Sequence, residues 1–406
     1  MTIDKRITTA EKALEKRFKE LDTIAYFNTN KVLNAFIKNR VDNTHFSGTT
    51  GYGYANIGRD TLNQVFADAF EAKDAFVSTS MPSATTALYH ALMAILRPGD
   101  LMLAISGKPY DTLDEVIKGE CGGGSFKDYN IKYEQIDLIG SEFDEKKILD
   151  SIKKLKPKFI HIQRSRGYSA RKSLLISQIE NIISKIRTVD KGVIIMVDNC
   201  YGEFTEAKEP TAVGADLIVG SLIKNAGGTL APTGAHFTGT KKIIELISKR
   251  VNSVGLGGEV GSNEAGYRLF FQGFFIAPRV VKDAMKAAYL FAEVLRGLGK
   301  NAKPTIDTQL SDIVCSVEFG NKEEMIKFCQ AIQKSSPIDS YVTPIEWEMP
   351  GYSDQVIMAG GSFVSGATIE LSVDGPIRPP YIAYLQGAIT YEHAVVTLNN
   401  YINHNI

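Results

Sequence analysis

An excess of charge of either sign is missing. Lys and Arg together number 46, as do Asp and Glu, in 406 residues, so nothing in the composition draws the chain to nucleic acid or to an anionic membrane surface. Cysteine is scarce and scattered. Cys121, Cys200, Cys315 and Cys329 form no CxxC pair, which argues against a disulfide framework or a zinc ribbon and leaves reduced thiols and no metal as the expectation. No uninterrupted apolar run reaches bilayer length, and the first residues lead into charge without a signal core. The chain is therefore read as soluble and cytoplasmic. A GxGxxG opening a strand-to-helix turn is also missing. Gly255-Leu-Gly-Gly-Glu-Val-Gly261 has the glycines without the order or the preceding strand, so a nicotinamide cofactor is disfavoured and the stretch reads as a turn.

What is present is enough apolar material for two cores, with 44% hydrophobic residues in a chain longer than one core usually supports. Helical spacing from Asp4 to Lys38 predicts two amphipathic helices, able to embrace a partner subunit or to pack within the monomer. Strands alternate with helical stretches from residue 60 onward, which predicts an α/β fold with a mostly parallel sheet. A long helix is expected over Pro278–Leu298. Beyond it, strands at Asp312–Phe319 and Ala367–Val373 with a helix at Glu323–Lys334 form a smaller α+β unit. The divisions are an N-terminal helical arm (1–50), a large domain (51–277), and a linker helix with a small C-terminal domain (278–406).

Two strand ends carry the chemistry. Asp216-Leu-Ile-Val-Gly-Ser221 is an apolar strand that delivers Lys224 into a glycine turn. Burial there is expected to lower the amine's pKa and leave it usable, although a lysine snorkelling to the surface fits the same pattern. Upstream, Gly192-Val-Ile-Ile-Met-Val-Asp198 is apolar at successive positions, as in a strand covered on both faces, and closes on Asp198 where open α/β sheets bind ligands. A capping or ion-pairing role is the plain alternative for this acid. Enzymes using pyridoxal 5'-phosphate (PLP) need such a pair, an amine to hold the cofactor covalently and an acid to keep its ring nitrogen protonated.

Other stretches supply the remaining parts. Ala75-Phe-Val-Ser-Thr-Ser-Met-Pro-Ser83 leads into a helix whose first turn holds Ala84, Thr85 and Thr86. This layout suits a phosphate at a helix N-terminus and also ordinary capping. Tyr110, after the strand Leu101–Ile105, can lie flat on an aromatic ring or be a half-buried tyrosine. Lys158–Gln163 is a strand that runs into Arg164-Ser-Arg-Gly-Tyr168. Arg378, set among prolines, suits a carboxylate or simply the surface.

Taken together, Gly107-Lys-Pro-Tyr-Asp-Thr-Leu113, Gln163-Arg-Ser-Arg-Gly-Tyr168, Ser221-Leu-Ile-Lys-Asn-Ala-Gly-Gly228 and Glu370-Leu-Ser-Val-Asp-Gly-Pro-Ile-Arg378 resemble the Cys/Met-metabolism group of fold-type-I PLP enzymes. Within it they are most similar to the aluminium-resistance, or methionine γ-lyase-like, branch, also described as cystathionine β-lyase-like. The resemblance implies a seven-stranded sheet in the large domain, a small C-terminal domain, and a homodimer or homotetramer with shared active sites. It makes Lys224 the Schiff-base lysine, Asp198 the partner of the pyridine nitrogen and Tyr110 the stacking and catalytic ring. Ser83, Ala84, Thr85 and Ser221 would hold the phosphate, with Tyr54 reaching in from a neighbouring subunit.

Three positions depart from the pattern. Asn56 stands where an arginine is usual, with Arg59 nearby to compensate. Ala84 stands where glycine is usual and needs a negative φ. Glu370 replaces the arginine that binds the substrate carboxylate, so that Arg378 or Arg166, with Gln163, takes over. The implied activity is a PLP-dependent lyase that cleaves a C–S bond in a sulfur-containing amino acid, with Lys224 as base. Transamination, decarboxylation, or PLP binding without turnover are the alternatives.

Overall fold

A computed structural model describes residues 2–169, 171–349 and 352–405. Seven strands form the large sheet: β1 (Asp74–Ser78), β2 (Leu101–Ala104), β3 (Lys132–Gln135), β4 (Phe159–Gln163), β5 (Ile194–Asp198), β6 (Leu217–Ser221) and β7 (Ala235–Gly239). Their spatial order is β1-β7-β6-β5-β4-β2-β3. Every neighbouring pair from β3 to β6 is parallel, and only β7 runs against the rest. The continuous apolar runs of β4, β5 and β6 follow from this layering, since helices cover both faces and almost every side chain on these strands is buried.

Register then fixes where chemistry can occur. Gln163 pairs with Asp198 across β4 and β5, and Asp198 with Val219 on β6. Three adjacent strands therefore end nearly level, and their polar last residues share one edge of the sheet.

The smaller sheet contains β8 (Asn301–Lys303), β9 (Val314–Glu318), β10 (Val356–Ala359), β11 (Ser372–Pro376) and β12 (Ile382–Gln386), antiparallel throughout in the order β10-β11-β12-β9-β8. The helix Lys322–Lys334 buries Met325, Phe328 and Ile332 in this unit. Each such side chain contributes roughly 1.5–3 kcal/mol by leaving water.

Three expected boundaries move. The N-terminal segment is one helix, Lys5–Lys38, not two. No proline or glycine interrupts it, and even its polar Asn28 faces inward, where its amide donates to the carbonyls of Phe204 and Glu206 at 3.0 Å. The long helix starts ten residues before Pro278, at Arg268, and ends at Gly297. Phe270, Phe271, Phe274 and Ala277 continue its buried stripe on the N-terminal side, and their packing outweighs the bond that an interior proline forfeits. The strand expected over Ala367–Val373 lies instead at Ser372–Pro376. Residues 368–371 form a buried turn, tied by the Ala388 amide to the Ile369 carbonyl at 2.9 Å, so their apolar alternation records loop packing.

Candidate active site

At the level edge of β4, β5 and β6 lies a cavity of about 600 Å³. One wall comes from the large domain and the other from the small domain. Lys224, Asp198, Tyr110, Ser83, Ala84, Thr85, Ser221, Gln163, Arg166 and Arg378 all line it.

Asp198 closes β5 and is 3% exposed. Its Oδ1 accepts the Cys200 amide at 3.1 Å. Burial raises its pKa, and the nearby Lys224 charge and the Cys200 hydrogen bonds offset this in part. Lys224 follows β6 through a tight turn in which the Lys224 amide donates to the Ser221 carbonyl at 3.3 Å and the Gly227 amide donates to the Lys224 carbonyl at 3.2 Å. The turn is pressed backbone to backbone on the long helix. Gly228 has φ +54, and a Cβ added there would meet the Gly273 carbonyl oxygen at 2.1 Å, so only glycine fits.

The Lys224 Nζ lies 4.4 Å from the centre of the Tyr201 ring. The expected fall in its pKa is not found. Burial does push the ammonium down, but Cys200, Tyr201, Tyr110 and Asp198 together outweigh it and the net shift is upward. Sequence reasoning weighed the strand's dryness and missed the polar groups that the other elements bring to the amine.

Tyr110 precedes the helix Asp111–Lys118, and its hydroxyl lies 2.8 Å from the Thr85 hydroxyl. Burial raises the phenol's pKa. The Gln163 carboxamide holds Tyr110 in place by accepting its backbone amide at 2.8 Å. At the start of the helix Ala84–Ile95, the Ser83 hydroxyl accepts the Thr86 amide at 3.0 Å. The amides of Ala84 and Thr85 keep no partner among the described residues, which is the arrangement that takes an anion. Ala84 is not among the residues with positive φ, so the methyl is accommodated.

The arginines differ in availability. Arg166 is buried and engaged on three sides, by Asp312 at 3.2 Å and by Ser316 and the Val314 carbonyl at 3.3 Å. Arg378 is 45% exposed and gives one amino group to Asp354 at 2.7 Å. Glu370 is buried and accepts the amides of Phe363 at 2.8 Å and Val364 at 3.1 Å. Tyr54 and Arg59 do not line this chain's cavity. Tyr54 is 59% exposed and stacks on Tyr52, while Arg59 is buried, donating to the Gly53 carbonyl and to Asp60 at 2.9 Å.

The fold adds residues that the sequence did not single out. Tyr201 stands three positions after Asp198, near enough in sequence to have been a candidate. Arg171 lines the cavity as a guanidinium bound to the backbone carbonyls of Gln163 and Lys172, each at 2.9 Å, and of Ser165. Burial lowers its pKa to about 10. Asp374 on β11 comes from the small domain and stood inside the Glu370–Arg378 stretch without a role of its own.

An amine, a carboxylate, a facing phenol and a helix start with free amides around one cavity make a donor set that fits PLP. A family model, methionine gamma-lyase, matches residues 3–406. The chain belongs to the methionine gamma-lyase family. The expected class, a PLP-dependent carbon–sulfur lyase of the fold-type-I architecture, agrees with this membership. Among relatives, the Bacillus subtilis (strain 168) protein YnbB, described only as uncharacterized, is 48% identical over 378 residues, 92% of this chain and 90% of its own. A solved structure from Clostridium novyi NT, named as a carbon-sulfur lyase involved in aluminum resistance, is 43% identical, with TM-score 0.95 over 100% of this chain and 97% of its own. Cystathionine gamma synthase from Xanthomonas oryzae pv. oryzae, 15% identical with TM-score 0.61 over 91% of this chain and 96% of its own, shares the fold. Among the described residues no helix is long and apolar enough to cross a membrane.

Proposed function

We propose that this member of the methionine gamma-lyase family cleaves a C–S bond in a sulfur-containing amino acid, as a cystathionine β-lyase or methionine γ-lyase does, in the cytoplasm. The observation that carries the reading is that Asp198, at the end of β5, and Lys224, in the turn after the neighbouring β6, line one cavity together with a helix start with free amides. Bound there, PLP supplies an electron sink that makes the substrate Cα–H acidic.

The chain's own groups then have defined tasks. Lys224 Nζ would hold the cofactor and is the chain's own base for the substrate Cα proton. Asp198 would accept a hydrogen bond from the ring nitrogen and keep it protonated. The amides of Ala84 and Thr85, with the hydroxyls of Ser83 and Ser221, hold the phosphate. Tyr110 would cover the ring, and its hydroxyl, 2.8 Å from that of Thr85, would supply a proton to the departing sulfur. Arg378, with only one amino group committed, is the better carboxylate receptor. Arg166 and Gln163 shape the wall beside it. Tyr54 and Arg59 complete the site of a second copy in a homodimer or homotetramer. Tyr52, Tyr54 and Ile57 are exposed apolar side chains on that segment, as such a contact requires.

Incubating the PLP-loaded protein with a panel of thioether amino acids and measuring keto acid and thiol tests this reading. Thiol release lost in K224A supports it. A protein without visible cofactor absorption, whose PLP binding is the same in K224A, overturns it.

A further inference from the structure

Among the described residues three carboxyls line the cavity, and two of them are committed. Asp198 serves the ring nitrogen, and Asp111 lies 3.5 Å from the Lys108 ammonium. Asp374, on the small-domain wall, is 7% exposed and stands in no ion pair among the described residues. Its Oδ2 accepts Gln386 Nε2 at 3.1 Å, while Oδ1 has no hydrogen bond of ordinary geometry. A buried carboxyl with an oxygen to spare costs free energy until a donor meets it.

The groups that face Asp374 narrow what it can do. Tyr168 and Tyr201 from the large domain and Tyr352, Tyr384 and Cys329 from the small one are phenols and a thiol whose pKa values burial raises. All stay neutral near pH 7, so none competes for a proton. Burial holds the Asp374 carboxyl up, to about 7, against the pull of Tyr168, Gln386 and the Lys224 charge. It is therefore a stronger base than an ordinary carboxylate and still ionised in part at neutral pH. Arg378 stands two residues beyond β11 and lines the same wall. Burial pushes the Tyr384 phenol up, Arg166 and Arg378 pull it down and Asp374 raises it, so Asp374 and Arg378 both lie within reach of one ring.

An amino acid enters as a zwitterion, with its ammonium and its carboxylate on one carbon. The ammonium must lose a proton before its nitrogen can bond a carbonyl cofactor. We propose that Asp374 is the catalytic base that takes this proton, while Arg378 on the same wall holds the neighbouring carboxylate. One N–H bond breaks, one O–H bond forms at Oδ1, the electron pair stays on nitrogen, and the proton is afterwards returned to solvent. The wall that recognises the head group is then also the one that makes it reactive. The assignment rests on the reading of the cavity as a PLP site for amino acids.

The test follows the visible absorption of the PLP-loaded, full-length protein after mixing with L-methionine, a zwitterion, or with aminooxyacetate, whose oxyamine is uncharged near neutral pH. Both should change the band of the wild type. Asp374→Asn, or Asp374→Ser if the first variant does not fold, should slow the methionine change by about a hundredfold near pH 7, the scale of one general base, and leave aminooxyacetate nearly unchanged. Raising the pH toward about 10, where methionine sheds the proton in solution, should close the gap, whereas a purely structural loss would persist at every pH. Asp374→Glu should recover part of the rate. Both compounds slowed alike, or methionine no slower in the uncharged variant than in the wild type, overturns the assignment. A band that methionine changes in the expected way without thiol release removes the lyase reading and leaves the Asp374 assignment standing. Thiol release with wild type and variant alike gives the reverse, and a protein without a visible band removes both.

Discussion

Lys224 points its ammonium at the face of Tyr201, 4.4 Å from the ring centre. The ring therefore helps hold the amine where the cofactor must meet it. Tyr201→Phe keeps the aromatic face and should retain cofactor. Tyr201→Leu removes it and should weaken PLP binding by roughly tenfold, on the scale of a desolvated cation–π contact. Titration followed by the visible band measures both.

Glu203 and His236 lie behind the lysine turn, with Oε1 and Nε2 3.3 Å apart and both side chains fully buried. Burial pushes the Glu203 carboxyl up to about 8 and the His236 imidazole down to about 3. For the acid the folded state binds its proton more tightly than the unfolded chain does. Stability is then lost as pH rises from 4.5 toward 8 and stays low above it. Glu203→Gln carries no such proton. It should be more stable than the wild type by a few kcal/mol near pH 9, with the gap closing toward pH 5. Thermal melts at the two pH values decide.

Glu370 occupies the position where the resemblance leads one to expect a carboxylate-binding arginine, and here it caps two loop amides instead. Glu370→Ala leaves the Phe363 and Val364 amides without their acceptor and should cost about 1–3 kcal/mol in denaturant melts. Glu370→Gln, which keeps an acceptor oxygen, should lose less.

If Tyr54 and Arg59 act in a neighbouring copy, defects on the two sides of a shared site complement. Tyr54→Ala and Lys224→Ala should each be nearly inactive alone. Mixed after co-refolding they should recover partial thiol release, because some sites receive an intact lysine from one chain and an intact tyrosine from the other. No recovery, with mixed oligomers present, would refute the shared site.

Much of this was legible in the sequence because the relevant residues sit where secondary structure ends. A strand apolar at every position has to be covered on both faces, so Asp198 and the turn to Lys224 announce an edge where ligands bind. The mostly parallel sheet and the Ser83 helix start followed from the same logic, while the count of seven strands came from the family resemblance. What was not legible depends on distant elements meeting. Asp374 looks like part of a turn after a strand until β11 shifts by five residues and faces it inward. The pKa of Lys224 could not be read from β6 alone, because the groups that raise it come from other elements. The proline at 278 reads as a helix start in isolation, and only the aromatic packing of Phe270, Phe271 and Phe274 shows why the helix begins a full ten residues earlier and runs through it.

The buried pair of Arg166 and Asp312 has a mechanical meaning. Arg166 follows β4 in the large domain and Asp312 leads into β9 in the small one, so the pair is a latch at the back of the cleft. Pulling the two walls apart there would leave Asp312 as a lone buried charge, a cost of about 3–5 kcal/mol. The Arg378–Asp354 pair, by contrast, is half-exposed and lies wholly within the small unit, so of these two ion pairs it is Arg166–Asp312 that couples one wall of the cleft to the other.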